Sequence, residues 1–254
     1  MRVRLLGSSV ADTASRQYVT SFVINDSVAI DAGCLGFWGT PQQQEAVRHV
    51  FLTHAHADHT ASLPIFIENA WTPAEDCPTV YGSTETLEAV QKHIFNNNVW
   101  PDFIAISKTM PPFLRVCPLQ HEMPAQAAGL TITPVQVNHL IPTYGFVVSD
   151  GESAVIFGGD SGPTDRLWEI ARQTQGLRAV FLEACFPNSM TGLAEVSLHL
   201  TPQMFGREVL KLPPGTRVIA VHIKVRYREQ VIQELDDLRL SNLEIGECEK
   251  EYCF

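Results

Sequence analysis

A chain of 254 residues, 45% apolar and 18% charged, has an ordinary globular balance and can bury a full core, as one large domain or two intimately packed halves. It holds no low-complexity segment, and no apolar run approaches the about 20 residues of a membrane span. The formal net charge of −10, with no basic cluster denser than Lys224-Val225-Arg226-Tyr227-Arg228, argues against a large nucleic-acid surface.

The N-terminus, Met1-Arg2-Val3-Arg4-Leu5-Leu6-Gly7, turns polar too soon for a secretory signal. Strand-like runs rich in Val, Ile and Phe follow at Val3–Leu6, Val19–Ile24, Val28–Ile30 and Val50–Leu52. The last runs into His54-Ala55-His56-Ala57-Asp58-His59, four metal-liking side chains within six residues. In an extended segment His54 and His56 project to one side and can share one metal, while Asp58 and His59 lie past the bend and can serve a second. Helical periodicity covers Thr84–Phe95. Around it, Phe95, Trp100 and Phe103 offer either a stacking face for a purine or a packed core.

Further strands are expected at Leu130–Val137, Tyr144–Val148, Ala154–Phe157, Ala179–Leu182 and Val218–Val221. Helices are expected at Asp165–Gln175, Pro202–Leu210 (capped by Thr201, with Pro at its first position) and Arg226–Leu238. Three of these strands run into His139, Asp160 and His222. Each candidate ligand thus sits just past an apolar strand, a rigid place from which to build a site. His139 and His222 would each add an imidazole to one of two metals, and Asp160 would bridge ions ~3.5–4 Å apart. Five imidazoles and two carboxylates suffice for a pair of divalent cations, which points to a hydrolase. Strands that dominate early, then alternate with helices, suit two packed sheets with helices outside. Cys34, Cys77, Cys117, Cys185, Cys248 and Cys253 lack CxxC spacing and read as reduced, mostly buried thiols in a soluble, cytoplasmic protein.

The set His54/His56/Asp58/His59, His139, Asp160 and His222 resembles the metallo-β-lactamase superfamily in its binuclear hydrolase form, over essentially the whole chain. The segments His93–Phe103, Phe157–Pro163, Leu182–Ser189, His199-Leu200-Thr201-Pro202 and His222-Ile223-Lys224 are similar to class II 3′,5′-cyclic-nucleotide phosphodiesterases. Ala57 and Thr60 depart from that family, which has Leu and an aliphatic residue there. The resemblance implies an α+β fold, an αββα four-layer sandwich of two mixed sheets, with residues 1–254 forming a single hydrolase domain. It implies that His54, His56 and His139 hold one metal, Asp58, His59 and His222 the other, and that Asp160 bridges.

Zinc is the first expectation for both ions, with manganese or iron also compatible. The resemblance further implies that Glu183 orients His199 as the general acid for a leaving oxygen, and that Asp58 helps orient a metal-bridging hydroxide. Lys224 either meets phosphate or is solvated. The implied reaction is hydrolysis of cAMP, with cGMP open, to the 5′-monophosphate. The implied partner is a small cyclic nucleotide, with no nucleic-acid polymer or membrane; homo-oligomerisation is left open. Rival readings are a transfer-RNA 3′-processing endonuclease, for which the basic arm is missing between His59 and His139, a thioester or lactone hydrolase, and a non-catalytic metal-stabilised scaffold.

Overall fold

In the computed structural model, residues 1–8, 17–73, 76–109 and 111–254 are described. The chain divides into two compact units. The first spans residues 1–15, 19–120 and 248–253, the second 16–18, 121–247 and 254.

Among the described residues, the first unit is built on a seven-stranded mixed sheet. Its strands are β1 (Arg2–Leu5), β2 (Phe22–Ile24), β3 (Val28–Ile30), β4 (His49–Phe51), β5 (Thr79–Gly82) and β6 (Arg115–Pro118), with the C-terminal strand Glu251–Cys253 beside β1. The antiparallel turn from β2 to β3 works because Asn25 and Asp26 both take positive φ, 47° and 57°. Two left-handed residues match the twist of a tight hairpin, and Asn and Asp are the side chains that adopt that conformation most readily. From β3 to β6 the pairing is parallel, so the C-terminal ends of β3, β4 and β5 point the same way. Helices α1 (Pro41–Ala46), α2 (Ala57–Thr60), α3 (Leu63–Asn69), α4 (Thr84–His93) and α5 (Phe103–Ile106) fill the connections. Thr40 and Gln43 form a reciprocal capping box at α1, with Pro41 at its first position. Leu52, Phe66, Ile67, Phe95 and Phe103 belong to one buried cluster.

The second unit carries its own sheet of seven strands among the described residues: β7 (Ala125–Ala127), β8 (Leu130–Gln136), β9 (Tyr144–Ser149), β10 (Ala154–Phe157), β11 (Leu177–Glu183), β12 (Arg217–Val221) and β13 (Leu243–Ile245), paired in chain order. The first four are antiparallel and the last four, from β10 on, parallel. Strands β10 to β12 are buried along almost their whole length, as expected of parallel strands that lack a wet face. Helices α6 (Arg166–Gln173), α7 (Thr191–Ser197), α8 (Pro202–Val209) and α9 (Arg228–Asp236) lie between and after them. Trp168 is fully buried and donates from Nε1 to Glu208 at 2.7 Å, which satisfies both polar groups inside the core.

The expected strands and helices are present with ends shifted by at most a few residues, and β11 runs longer, Leu177–Glu183 against the expected Ala179–Leu182. The expected first-unit strand Val19–Ile24 shortens to Phe22–Ile24, and the helix expected over Asp165–Gln175 runs Arg166–Gln173. No helix among the described residues is long and apolar enough to cross a membrane. None of the six cysteines is in a disulfide, but only Cys34, Cys77 and Cys185 are buried; Cys117 and Cys248 are half-buried and Cys253 is exposed.

Candidate metal centre

Each unit carries its own set of donors. In the first, β4 ends at Phe51, and three residues later His54 begins the loop into α2. His54 is fully buried and presents Nε2 to Nδ1 of His56 at 3.0 Å, while its own Nδ1 meets the Thr53 hydroxyl at 2.9 Å. Two imidazole nitrogens turned toward each other at this distance suit a pair of ligands on one cation. Asp58 and His59 follow on α2.

His59 Nδ1 lies 2.7 Å from the Asp31 carboxylate, both side chains 1% exposed. A carboxylate on Nδ1 fixes the tautomer and leaves Nε2 as the ligating atom, the usual support of a metal-bound imidazole. Burial pushes the Asp31 carboxyl up, and the charge and hydrogen bonds of His59 and Thr53 oppose that rise. Asp31 also accepts from the Thr53 amide at 2.8 Å and from its hydroxyl. Gly33 completes the support: a Cβ there would stand 2.2 Å from the Asp58 carbonyl, so only glycine lets the donor loop lie this close. Thr60, one of the two departures from the family pattern, donates its hydroxyl to the His56 carbonyl at 3.0 Å and braces the same loop.

In the second unit the donors come from separate elements. Asp160, Glu183 and His222 stand at or just past the C-terminal ends of the adjacent parallel strands β10, β11 and β12. Such ends are where open α/β sheets carry their ligands. Gly159, at φ +66° and with a Cβ position 3.0 Å from the Tyr144 carbonyl, makes the sharp approach to Asp160. His222 Nε2 and Asp160 Oδ2 lie 3.3 Å apart, and both residues are buried. His222 itself has φ +54°, and its amide donates to Gln17 Oε1 at 2.8 Å. A left-handed backbone at a non-glycine residue is a strained conformation that persists where the surroundings hold it.

His139 lies three residues past β8. Its Nδ1 meets the Leu198 carbonyl at 3.1 Å, which again reserves Nε2 for a ligand. Leu198 accepts this bond from a left-handed backbone, φ +53°, at the end of α7. The next residue is His199, whose ring centroid stands 5.1 Å from that of His139 and 5.8 Å from that of His222.

His199 Nδ1 meets Glu183 Oε1 at 2.7 Å. The same carboxylate accepts from the Ser161 amide at 2.9 Å and the Leu200 amide at 3.1 Å, and Glu183 is 1% exposed. Burial alone would pull the His199 imidazole down. The charge and hydrogen bond of Glu183, with the Asp160 charge behind them, outweigh it and hold His199 above its ordinary value.

The first unit thus brings His54, His56, Asp58 and His59 together, and the second brings together His139, Asp160, Glu183, His199 and His222. Imidazoles tautomerically fixed by carboxylate, hydroxyl or carbonyl partners, with carboxylates among them, form a donor set that fits divalent metal ions. Sequence reasoning missed Asp31 and Thr53. The signal was there, since Asp31 follows β3 as His54 follows β4, but one carboxylate after a strand reads as a turn. Of the aromatic residues weighed as a stacking face, Phe95 and Phe103 are core. His93 is exposed.

A family model described as the beta-lactamase superfamily domain matches residues 30–223, a span that contains every donor and supporting carboxylate named above. A probable 3′,5′-cyclic-nucleotide phosphodiesterase of Yersinia pestis is 26% identical over 230 residues, 80% of this chain and 64% of that protein. A ribonuclease Z of Pseudomonas putida is 28% identical over 111 residues, 44% of this chain and 32% of its own length. The chain therefore spans just under two thirds of the first relative and a third of the second. Among solved structures, the metallo-beta-lactamase fold protein YhfI of Bacillus subtilis superposes with a TM-score of 0.74 at 17% identity, over 99% of this chain and 98% of that one. The shared fold is the α+β fold that the sequence led us to expect.

Proposed function

This chain belongs to the beta-lactamase superfamily, and on that premise we propose that residues 1–254 act as one domain, a binuclear phosphodiesterase that hydrolyses 3′,5′-cyclic nucleotides, cAMP first, to 5′-monophosphates. His54, His56 and His139 would hold one divalent ion and Asp58, His59 and His222 the other, with Asp160 available to both. Zinc suits the imidazole-rich set. When bound, such a pair supplies an activated water and offsets charge on the phosphate oxygens.

The chain's own residues do the rest. Asp31 and Thr53 keep His59 and His54 oriented, and Leu198 does so for His139. Asp58 orients the attacking water. His199 delivers its proton from Nε2 to the departing 3′-oxygen, because Nδ1 is committed to Glu183. The single observation that carries this reading is the buried Glu183–His199 pair, set at the same strand ends as Asp160 and His222. A thioester expels a thiolate and needs no such proton donor, whereas the poor alkoxide leaving group of a phosphodiester does. The relative from Yersinia pestis favours a cyclic nucleotide as substrate. A cytoplasmic location agrees with six cysteines outside any disulfide.

The ribonuclease Z match favours a second reading, cleavage of precursor tRNA. The net charge of −10 weighs against an RNA-binding face. Metal analysis of the purified protein, followed by cAMP, cGMP, bis-p-nitrophenyl phosphate, a thioester and a precursor tRNA, decides between them. The expected result is about two metal ions per chain and 5′-AMP from cAMP; cleavage of the tRNA with cyclic nucleotides untouched would replace this reading with the second.

A further inference from the structure

One buried side chain at the second unit's strand ends has no part in the reaction above. Cys185 lies two residues beyond Glu183 and has no accessible surface. Its backbone ties it to both neighbouring loops: its amide donates to the Leu200 carbonyl at 2.9 Å, and its own carbonyl accepts from the Lys224 amide at 3.2 Å. Those loops carry His199 and His222. The Cys185 sulfur, a His199 nitrogen and a His222 nitrogen consequently all lie within 4.8 Å of one another. Because Glu183 occupies His199 Nδ1, the nitrogen left to donate is Nε2.

The geometry points to an alternative, inhibitory seat for a thiophilic divalent cation on Cys185, His199 and His222, one that shares His222 with the pair proposed above. A thiolate with two imidazoles is a soft donor set that selects zinc or cadmium over magnesium or calcium, with the fourth position left to water. On binding, the sulfur–metal bond replaces the S–H bond and the thiol proton leaves to solvent. Glu183 would then act on His199 as carboxylates do behind ligating imidazoles. The consequence for turnover rests on the function proposed above. A cation on Nε2 takes the lone pair that must carry the proton, and it draws His222 away from the productive pair of ions. Binding itself depends on no substrate.

The test starts from protein loaded with its metals. Cadmium is titrated in while the ultraviolet thiolate-to-cadmium band is followed, in the wild type, Cys185→Ser and Cys185→Ala. The difference between wild type and either variant isolates this thiol from the five others. We expect one further equivalent of cadmium to raise the band in the wild type and not in the variants. In parallel, excess zinc should lower bis-p-nitrophenyl phosphate turnover at least about tenfold in the wild type. Each variant, measured against its own rate without excess zinc, should lose that inhibition. Equal bands in wild type and variants would overturn the seat. A band confined to the wild type, with inhibition unchanged in the variants, would overturn its regulatory role. If no phosphodiester is turned over, the proposed reaction fails while the cadmium difference still decides the seat.

Discussion

The two units arrive at their donors by different routes. The first concentrates four of them on six consecutive residues, and the supports, Asp31, Thr53, Gly33 and Thr60, all act on that one loop. The second draws each donor from a different element, and it adds a further imidazole, His199, held by a buried carboxylate. A local loop can be tuned by its immediate neighbours with little consequence elsewhere. A set spread over three parallel strand ends can be altered only by moving the sheet that aligns them. The first unit should therefore govern how tightly metal is held, and the second should govern metal and chemistry separably.

The harshest test of that division is Asp160→Asn. It removes a carboxylate donor, and turnover and metal content should fall together. The loss of activity should exceed the roughly 100-fold typical of changing a residue behind a ligand. His199→Ala should keep its metal by elemental analysis and lose roughly 10²–10⁴-fold in kcat. Were metal lost with it, the second unit would show no separation of roles.

Asp31→Asn, in the first unit, should weaken metal affinity by about 10–100-fold in a chelator competition, with turnover restored at saturating metal. A fall in kcat that metal cannot rescue would blur the contrast from the other side. Glu183→Gln sharpens it through pH. In the proposed role of acid, His199 is competent below its pKa and fails as pH rises through it. Glu183 holds that pKa up, so its loss should move the alkaline limb of the kcat profile to lower pH with metal content unchanged. The smallest effect belongs to Thr60→Val. It deletes one hydrogen bond to the His56 carbonyl, costs about 1 kcal/mol and lowers Tm by roughly 2–4 °C.

What could be read in advance follows the same contrast. The His54–His59 loop was legible because its spacing alone is chemically improbable. His139, Asp160 and His222 were legible one step later, as residues that follow apolar strands. Asp31 was not, because its importance lies in a bond to His59, twenty-eight residues away, that no local pattern carries. Of the elements, β8 to β12 announced themselves by Val- and Ile-rich runs. Strand β6 did not: Arg115–Pro118 is an edge strand that is largely exposed and ends in proline, so neither alternation nor burial marks it. Helix α2 is a single turn, too short to show a period.

Glu183 receives three donors at once: the imidazole of His199 and the backbone amides of Ser161 and Leu200. It is therefore a keystone between two segments of chain as well as the partner of His199. A descendant of this protein that traded the carboxylate for a side chain without an acceptor oxygen would strand two amides in the dark interior and have to rebuild both segments in the same step.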